Sequence, residues 1–203
     1  MNDPAIRALL YPLLPGGVVI DELPTGTTRA DVVHITEAFM HGYEVKGDND
    51  TLQRVENQLR CYAEVYDFVT FVVTAKHLPK LLPRLPEWVG VLVAEGNQLR
   101  SHRAARYNAT VQAAPLAALL WVEEIKQFLL ARGLSGASTL RQREVAQYLR
   151  SSGTVPLSAL AQYVRERLMA RLPERLALRE ERRAERTRLA EIRRKRAAQR
   201  RRQ

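Results

Sequence analysis

Two carboxylates and a lysine stand close enough along this chain to serve a single reaction. Arg29-Ala30-Asp31-Val32-Val33 is followed, after a short connection, by Gly42-Tyr43-Glu44-Val45-Lys46. Both stretches are rich in the β-branched and aromatic residues that suit a pleated surface. Alternate residues of a strand share a face, so Glu44 and Lys46 point the same way. A hairpin turning around residues 37–41 would bring Asp31, near the start of its own strand, beside Glu44. Hard cations such as Mg²⁺ or Mn²⁺ take oxygen ligands, and Asp31, Glu44 and the main-chain carbonyl of Val45 would supply them. Phosphodiester hydrolysis needs a sink for negative charge and a water of lowered pKa, and a bound metal provides both. Lys46 would orient or deprotonate that water, or stabilise the transition state. The triplet Glu-X-Lys is uninformative alone, since roughly one is expected by chance in a chain of this length. Its weight comes from its place in a β segment with an acid upstream in the neighbouring strand; the plain alternative is an exposed strand with a charged outer face.

The elements that would position these groups follow from periodicity. Residues 4–14 read as a short helix with Ile6, Leu9, Leu10 and Leu13 on one face, ended by Pro15-Gly16-Gly17. Val18-Val19-Ile20, Ala30–Thr36 and Tyr43–Lys46 are strand-like and closely spaced, as in an antiparallel meander. Residues 47–51 form a polar turn whose Asp48 and Asp50 are expected to cap a helix running to about Val65. Leu52, Val55, Leu59, Tyr62 and Tyr66 make its buried stripe. Residues 67–74 are a continuous apolar run, the signature of a strand covered on both faces. A short helix over His77–Leu82 and a strand over Val89–Ala94 come next. A hairpin at Glu95-Gly96-Asn97 leads into Gln98–Ser101. This order predicts an α/β fold with a mixed central sheet over residues 1–110. A helical region follows over residues 111–173, with helices at Leu116–Leu130, Thr139–Arg150 and Leu157–Arg171. The last pair is compatible with a helix-turn-helix, as in many helical bundles. Tyr107 and Trp121 read as packing residues.

Composition narrows the function classes. Lys and Arg number 32 against 22 Asp and Glu, a net charge of +10. Residues 174–203 hold 13 of those cations and 5 of the acids, a net of +8, so the rest of the chain is nearly neutral. A basic tail of this kind, helical or disordered alone, attracts polyanions without reading sequence. No apolar run approaches the roughly 20 residues that span a bilayer. Asp3 stands where a signal peptide is cationic, and Pro12 and Pro15 interrupt the apolar stretch, so a cytoplasmic location and no membrane partner are expected. The single cysteine, Cys61, excludes an intrachain disulfide or a Cys-based zinc finger. It reads as a small buried hydrophobe. The four histidines share no zinc-ligand spacing.

With these residues in view, the chain resembles the PD-(D/E)XK nuclease superfamily. Asp31 matches the first motif acid and Glu44-Val45-Lys46 the ExK tripeptide, with Ala30 in place of the usual proline. The superfamily often adds an earlier acid, which Glu22 resembles, with Asp21 the competing choice. It also often carries a Gln and a Tyr four residues apart on the following helix, matched by Gln58 and Tyr62. The stretch from His41 through Val73 is similar to a family of small bacterial proteins of unassigned role within that superfamily. The resemblance covers about Leu10 to Ala94, and more loosely the later helices. It implies a restriction-endonuclease-like αβββαβ core and a metal set of Glu22, Asp31, Glu44 and the Val45 carbonyl. Lys46 would serve the water, and Gln58 and Tyr62 would line the cleft.

The expected activity is therefore metal-dependent hydrolysis of phosphodiester bonds in a nucleic acid, DNA being the first choice. Arg29, Arg54 and Tyr62 are the expected backbone contacts, although Arg29 could instead neutralise the carboxylates and Arg54 could serve only as surface. Association into a homodimer is compatible with this reading. Two alternatives stand beside it: a nucleic-acid-binding module on the same fold that no longer cuts, and an interaction protein acting through its Arg-rich tail.

Overall fold

The computed structural model describes residues 1–152, 155–173, 185 and 188. Six strands pair in chain order: β1 (Val18–Thr25), β2 (Thr28–Ile35), β3 (Met40–Lys46), β4 (Phe68–Thr74), β5 (Gly90–Glu95) and β6 (Gln98–Arg103). β1, β2 and β3 form an antiparallel meander, β3–β4 and β4–β5 are parallel, and β5–β6 is antiparallel. The parallel steps occur where the sequence inserts helical crossovers, as parallel pairing requires. Helix α2 (Val55–Ala63) lies between β3 and β4; α3 (Leu78–Leu81) and a 3-10 turn at Leu82–Arg84 lie between β4 and β5. This is the mixed α/β sheet that the periodicity predicts.

Each face of the sheet is covered by one early helix. Helix α1 (Asp3–Leu10) is capped by the Asn2 side chain, which accepts the Ala5 N–H at 3.1 Å. It buries Ile6 and Leu10 in a cluster with Val32, Tyr43, Val45 and Val72. Removing such a side chain from water contributes about 1.5–3 kcal/mol each. Because side chains alternate along β3, Gly42, Glu44 and Lys46 face the other way, toward α2 and Tyr66. A Cβ at Gly42 would overlap the Tyr66 ring, so the glycine lets the end of that helix settle close to the strand.

Several boundaries differ from the sequence expectation. β1 continues past Ile20 to Thr25, including Pro24, which a strand at the sheet edge tolerates. Helix α2 begins only at Val55, and neither aspartate caps it: Asp50 accepts the Gly47 N–H at 2.7 Å, and Asp48 pairs with the Met1 ammonium. The helix expected over Leu116–Leu130 is two, α4 (Ala113–Ala117) and α5 (Val122–Leu130). Trp121 is extended between them, and the Glu124 carboxylate, three residues on, accepts its N–H at 2.9 Å. Helices α6 (Gln142–Ser152) and α7 (Leu157–Ala170) follow, and α7 buries Leu160, Val164 and Leu168, one helical turn apart.

Compact units span Met1–Met169 and Ala170–Gln203, so α4 to α6 and all but the last residue of α7 belong to the unit that holds the sheet. Within it, Arg165 on α7 donates to the Glu37 carbonyl in the β2–β3 connection at 2.9 Å. Asn108 donates to the Ala63 and Tyr66 carbonyls at 2.6 and 2.8 Å, fastening the segment after β6 to the end of α2. The Arg-rich tail expected at 174–203 lies outside the described residues, apart from Glu185 and Arg188. No helix among the described residues is long and apolar enough to cross a membrane.

Candidate functional site

The three central side chains sit where β2 and β3 part. Their ladder runs from Ile35↔Met40 to Val32↔Tyr43. On the next rung, opposite Glu44, the Asp31 carboxylate accepts the Val45 N–H at 2.7 Å in place of a main-chain partner. The C=O and N–H of one strand residue point to the same neighbour, so the Val45 carbonyl also faces this edge. Lys46 donates to Glu44 Oε1 at 2.7 Å, and both side chains are almost fully buried. From α2, Gln58 donates to the same oxygen at 2.5 Å, and the Tyr62 hydroxyl lies 2.6 Å from Glu44 Oε2. The helical spacing of Gln58 and Tyr62 thus aims both at one carboxylate.

A second layer reaches the site from the opposite face of the sheet. Arg7 on α1 donates to the Asp31 carbonyl at 2.7 Å, to its carboxylate at 3.1 Å and to Glu22 at 2.7 Å, while its base is gripped by Asp3. Sequence reading does not single out Arg7. The signal that could have found it is the Asp3–Arg7 pair at i,i+4, which the apolar face of the same helix overshadows. Glu22 lies between the rungs Asp21↔Val32 and Leu23↔Ala30, which sets it opposite Asp31. Its φ of 57° makes it the one non-glycine residue with positive φ among the described residues. Strained backbone of this kind clusters at functional sites. The kink leaves Ile20 and Leu23 both buried although three apart. Asp21, the competing choice, instead accepts the Tyr11 hydroxyl at 2.8 Å.

The electrostatics of Asp31 follow from its surroundings. Burial, and then the charge of Glu44, push the Asp31 carboxyl up to about 7, although the Val45 N–H and Arg7 work against the shift. Burial and the Glu44 carboxylate drive the Tyr62 phenol well above its usual range, so it is a firm donor. Burial opposes the charge on Arg7, but Asp3, Glu22 and Asp31 together hold its guanidinium protonated. Asp31 is thus a place short of positive charge, and Arg7 relieves it only in part.

Of the expected site residues, Asp31, Glu44, Lys46, Gln58 and Tyr62 are brought together. Glu22 reaches the cluster through Arg7. Arg29 lies against the Glu22 carboxylate at 2.5 Å, with its side chain largely exposed. Arg54 is exposed at the start of α2. Among the described residues no group of three or more His, Cys, Asp or Glu side chains is arranged to hold a metal ion. Glu22, Asp31 and Glu44 are therefore not a ready-made trio, because Arg7 stands between the first two.

The donor chemistry nonetheless fits Mg²⁺ or Mn²⁺. Mg²⁺ commonly takes only one or two carboxylates and completes its shell with water and substrate phosphate. Asp31 and Glu44 offer two carboxylates, with the Val45 carbonyl at the same edge. Gln58 Oε1 is buried and accepts no hydrogen bond among the described residues. A buried oxygen of that kind calls for a partner such as water or an ion.

Comparison with known proteins bears on family and not on chemistry. No curated protein matches the chain. A solved structure of a protein of unknown function from Silicibacter pomeroyi is similar at 19% identity and a TM-score of 0.43, covering 75% of this chain and 92% of that one. The model of the family described as "Bacteriophage P4 protein cII" matches residues 13–196, and that description says nothing of a nuclease. The match takes in the sheet, the Asp31–Glu44–Lys46 cluster and the helices beyond it, and the protein belongs to the bacteriophage P4 protein cII family.

Proposed function

We propose that the protein is a divalent-metal-dependent nuclease of the PD-(D/E)XK type, hydrolysing phosphodiester bonds in DNA. The observation that carries this is the meeting of Asp31 and Glu44 at the fork of β2 and β3, with Lys46 on the Glu44 carboxylate. Asp31, Glu44 and the Val45 carbonyl would hold Mg²⁺ or Mn²⁺, which when bound polarises a phosphoryl oxygen and lowers the pKa of a water. Lys46 brings the only lysine ammonium bonded to Glu44 among the described residues, and it would orient the attacking water or take up charge on the phosphate. Gln58 and Tyr62 fix the orientation of Glu44, and Arg7 fixes Asp31; these are positioning residues. Supercoiled, linear, double-stranded and single-stranded DNA incubated with Mg²⁺ or with EDTA test the reading. Cleavage of at least one form in Mg²⁺ alone is predicted, and no cleavage of any form would overturn it.

One observation favours a second reading, a nucleic-acid-binding module that does not cut. Arg7 already spans Glu22 and Asp31, and no three-ligand metal group stands among the described residues. Calorimetric titration with Mg²⁺ separates the two. The nuclease reading requires binding that Glu44→Gln weakens; the module predicts no binding heat in either protein.

A further inference from the structure

The segment leaving Lys46 borders a second feature, on the far side of the loop that joins β3 to α2. A cleft of about 320 Å³ opens there between residues 50–52 and the α3 region. Its charged wall is built from Lys76, Lys80 and Arg84, at intervals of four, with His77 beneath them. Lys76 and Lys80 are exposed, and Arg84 is half-buried. Their charges are only weakly offset. Lys76 is bonded to a main-chain carbonyl, that of Asp48, at 2.7 Å, which leaves its charge uncompensated. Arg84 pairs at 3.0 Å with Glu56, whose side chain is largely exposed. The Lys80 ammonium makes no ion pair or hydrogen bond with the side chains or main chain of the described residues. Asp50, the acid in the lining, is turned to the Gly47 N–H. The cleft is tied to the catalytic strand by His77, whose ring nitrogen lies 2.8 Å from the Gly47 carbonyl, one residue beyond Lys46.

We infer that this cleft is a track for the phosphodiester backbone of a nucleic-acid strand, with Lys76, Lys80 and Arg84 contacting successive phosphates next to the Glu44–Lys46 centre. The inference rests on the reading of that centre as one acting on nucleic acid. A row of cations in an open cleft suits a repeating polyanion better than a single small anion, because each phosphate neutralised releases counterions and the gains add along the strand. The row is hard to see in the sequence. Prolines at 79 and 83 interleave it, which hides the helical spacing. The arginines that the sequence does single out, Arg29 and Arg54, lie on other segments.

The test uses the full-length protein, a fluorescein-labelled single-stranded oligonucleotide and EDTA throughout, so that binding is read without cleavage. Lys80→Glu and the pair Lys76→Gln with Lys80→Gln are compared with the parent across a range of salt. The basic tail contributes equally to all three and cancels in the comparison. Removing one lysine–phosphate interaction should flatten the plot of log affinity against log salt by about 0.7. Affinity at moderate salt should fall several-fold, with no change in melting temperature. Lys80→Glu keeps the test valid if removing the Lys76–Asp48 bond disturbs the loop. In Mg²⁺ the same variants should raise KM and leave kcat unchanged. Parental affinity and slope in both variants would overturn the track. Competition by inorganic phosphate at concentrations as low as those of the oligonucleotide would also overturn it, indicating a single-anion site. Failure of the nuclease reading appears separately, as absence of Mg²⁺-dependent cleavage by the parent protein whatever the binding slopes.

Discussion

Asp31 carries the sharpest consequence at the scale of single residues. Its carboxyl sits at about 7 in the folded protein, against an ordinary value of 3.8. The fold therefore favours the protonated form. The stability this contributes is complete below the ordinary value and is lost as pH rises through about 7, at up to ~1.4 kcal/mol per pH unit. Urea unfolding in EDTA should show the parent losing more stability than Asp31→Asn between about pH 5 and about pH 8. Added Mg²⁺ should restore part of the loss in the parent alone. Parallel pH profiles for the two proteins would remove the electrostatic argument. Much of this cluster is legible in the sequence, because strand alternation puts Glu44 and Lys46 on one face and helical spacing pairs Gln58 with Tyr62. Arg7 is not, since its role depends on a helix crossing the opposite face of the sheet. Nor is the positive φ of Glu22, because no residue type announces that a glutamate will take a conformation usually left to glycine.

Among the elements, the packing of α2 on β3 decides whether Gln58 and Tyr62 reach Glu44. Gly42 permits it, since any side chain there would meet the Tyr66 ring. Gly42→Ala should cost about 1–3 kcal/mol in chemical denaturation, by overpacking. It should also weaken Mg²⁺ binding, because lifting α2 loosens the grip on Glu44. Unchanged stability would mean that α2 is held elsewhere. Strand order and the helical crossovers can be read from apolar runs and their spacing. Boundaries set by side-chain-to-backbone bonds cannot. Asp48 and Asp50 look like caps in one dimension, yet they are spent on the Met1 ammonium and the Gly47 N–H. The helical pattern across Leu116–Leu130 likewise conceals the extended Trp121 that the Glu124 carboxylate holds.

For the molecule as a whole, charge is divided between nearly neutral residues 1–173 and a strongly basic stretch over residues 174–203. Removing residues 174–203 should weaken binding to any nucleic acid and flatten its salt dependence, while the single-turnover cleavage rate at saturating DNA stays the same. Loss of the chemical step on truncation would instead favour the Arg-rich tail as the working part of the protein.

Joint action of Asp31 and Glu44 on one phosphodiester is tested most directly by single-turnover cleavage of DNA in Mg²⁺ by the parent and by Asp31→Asn. The variant keeps the shape of the side chain and an oxygen able to accept the Val45 N–H, so it should fold like the parent. Cleavage should fall to the level seen in EDTA, with DNA affinity retained. Cleavage by Asp31→Asn at the parental rate would contradict the account.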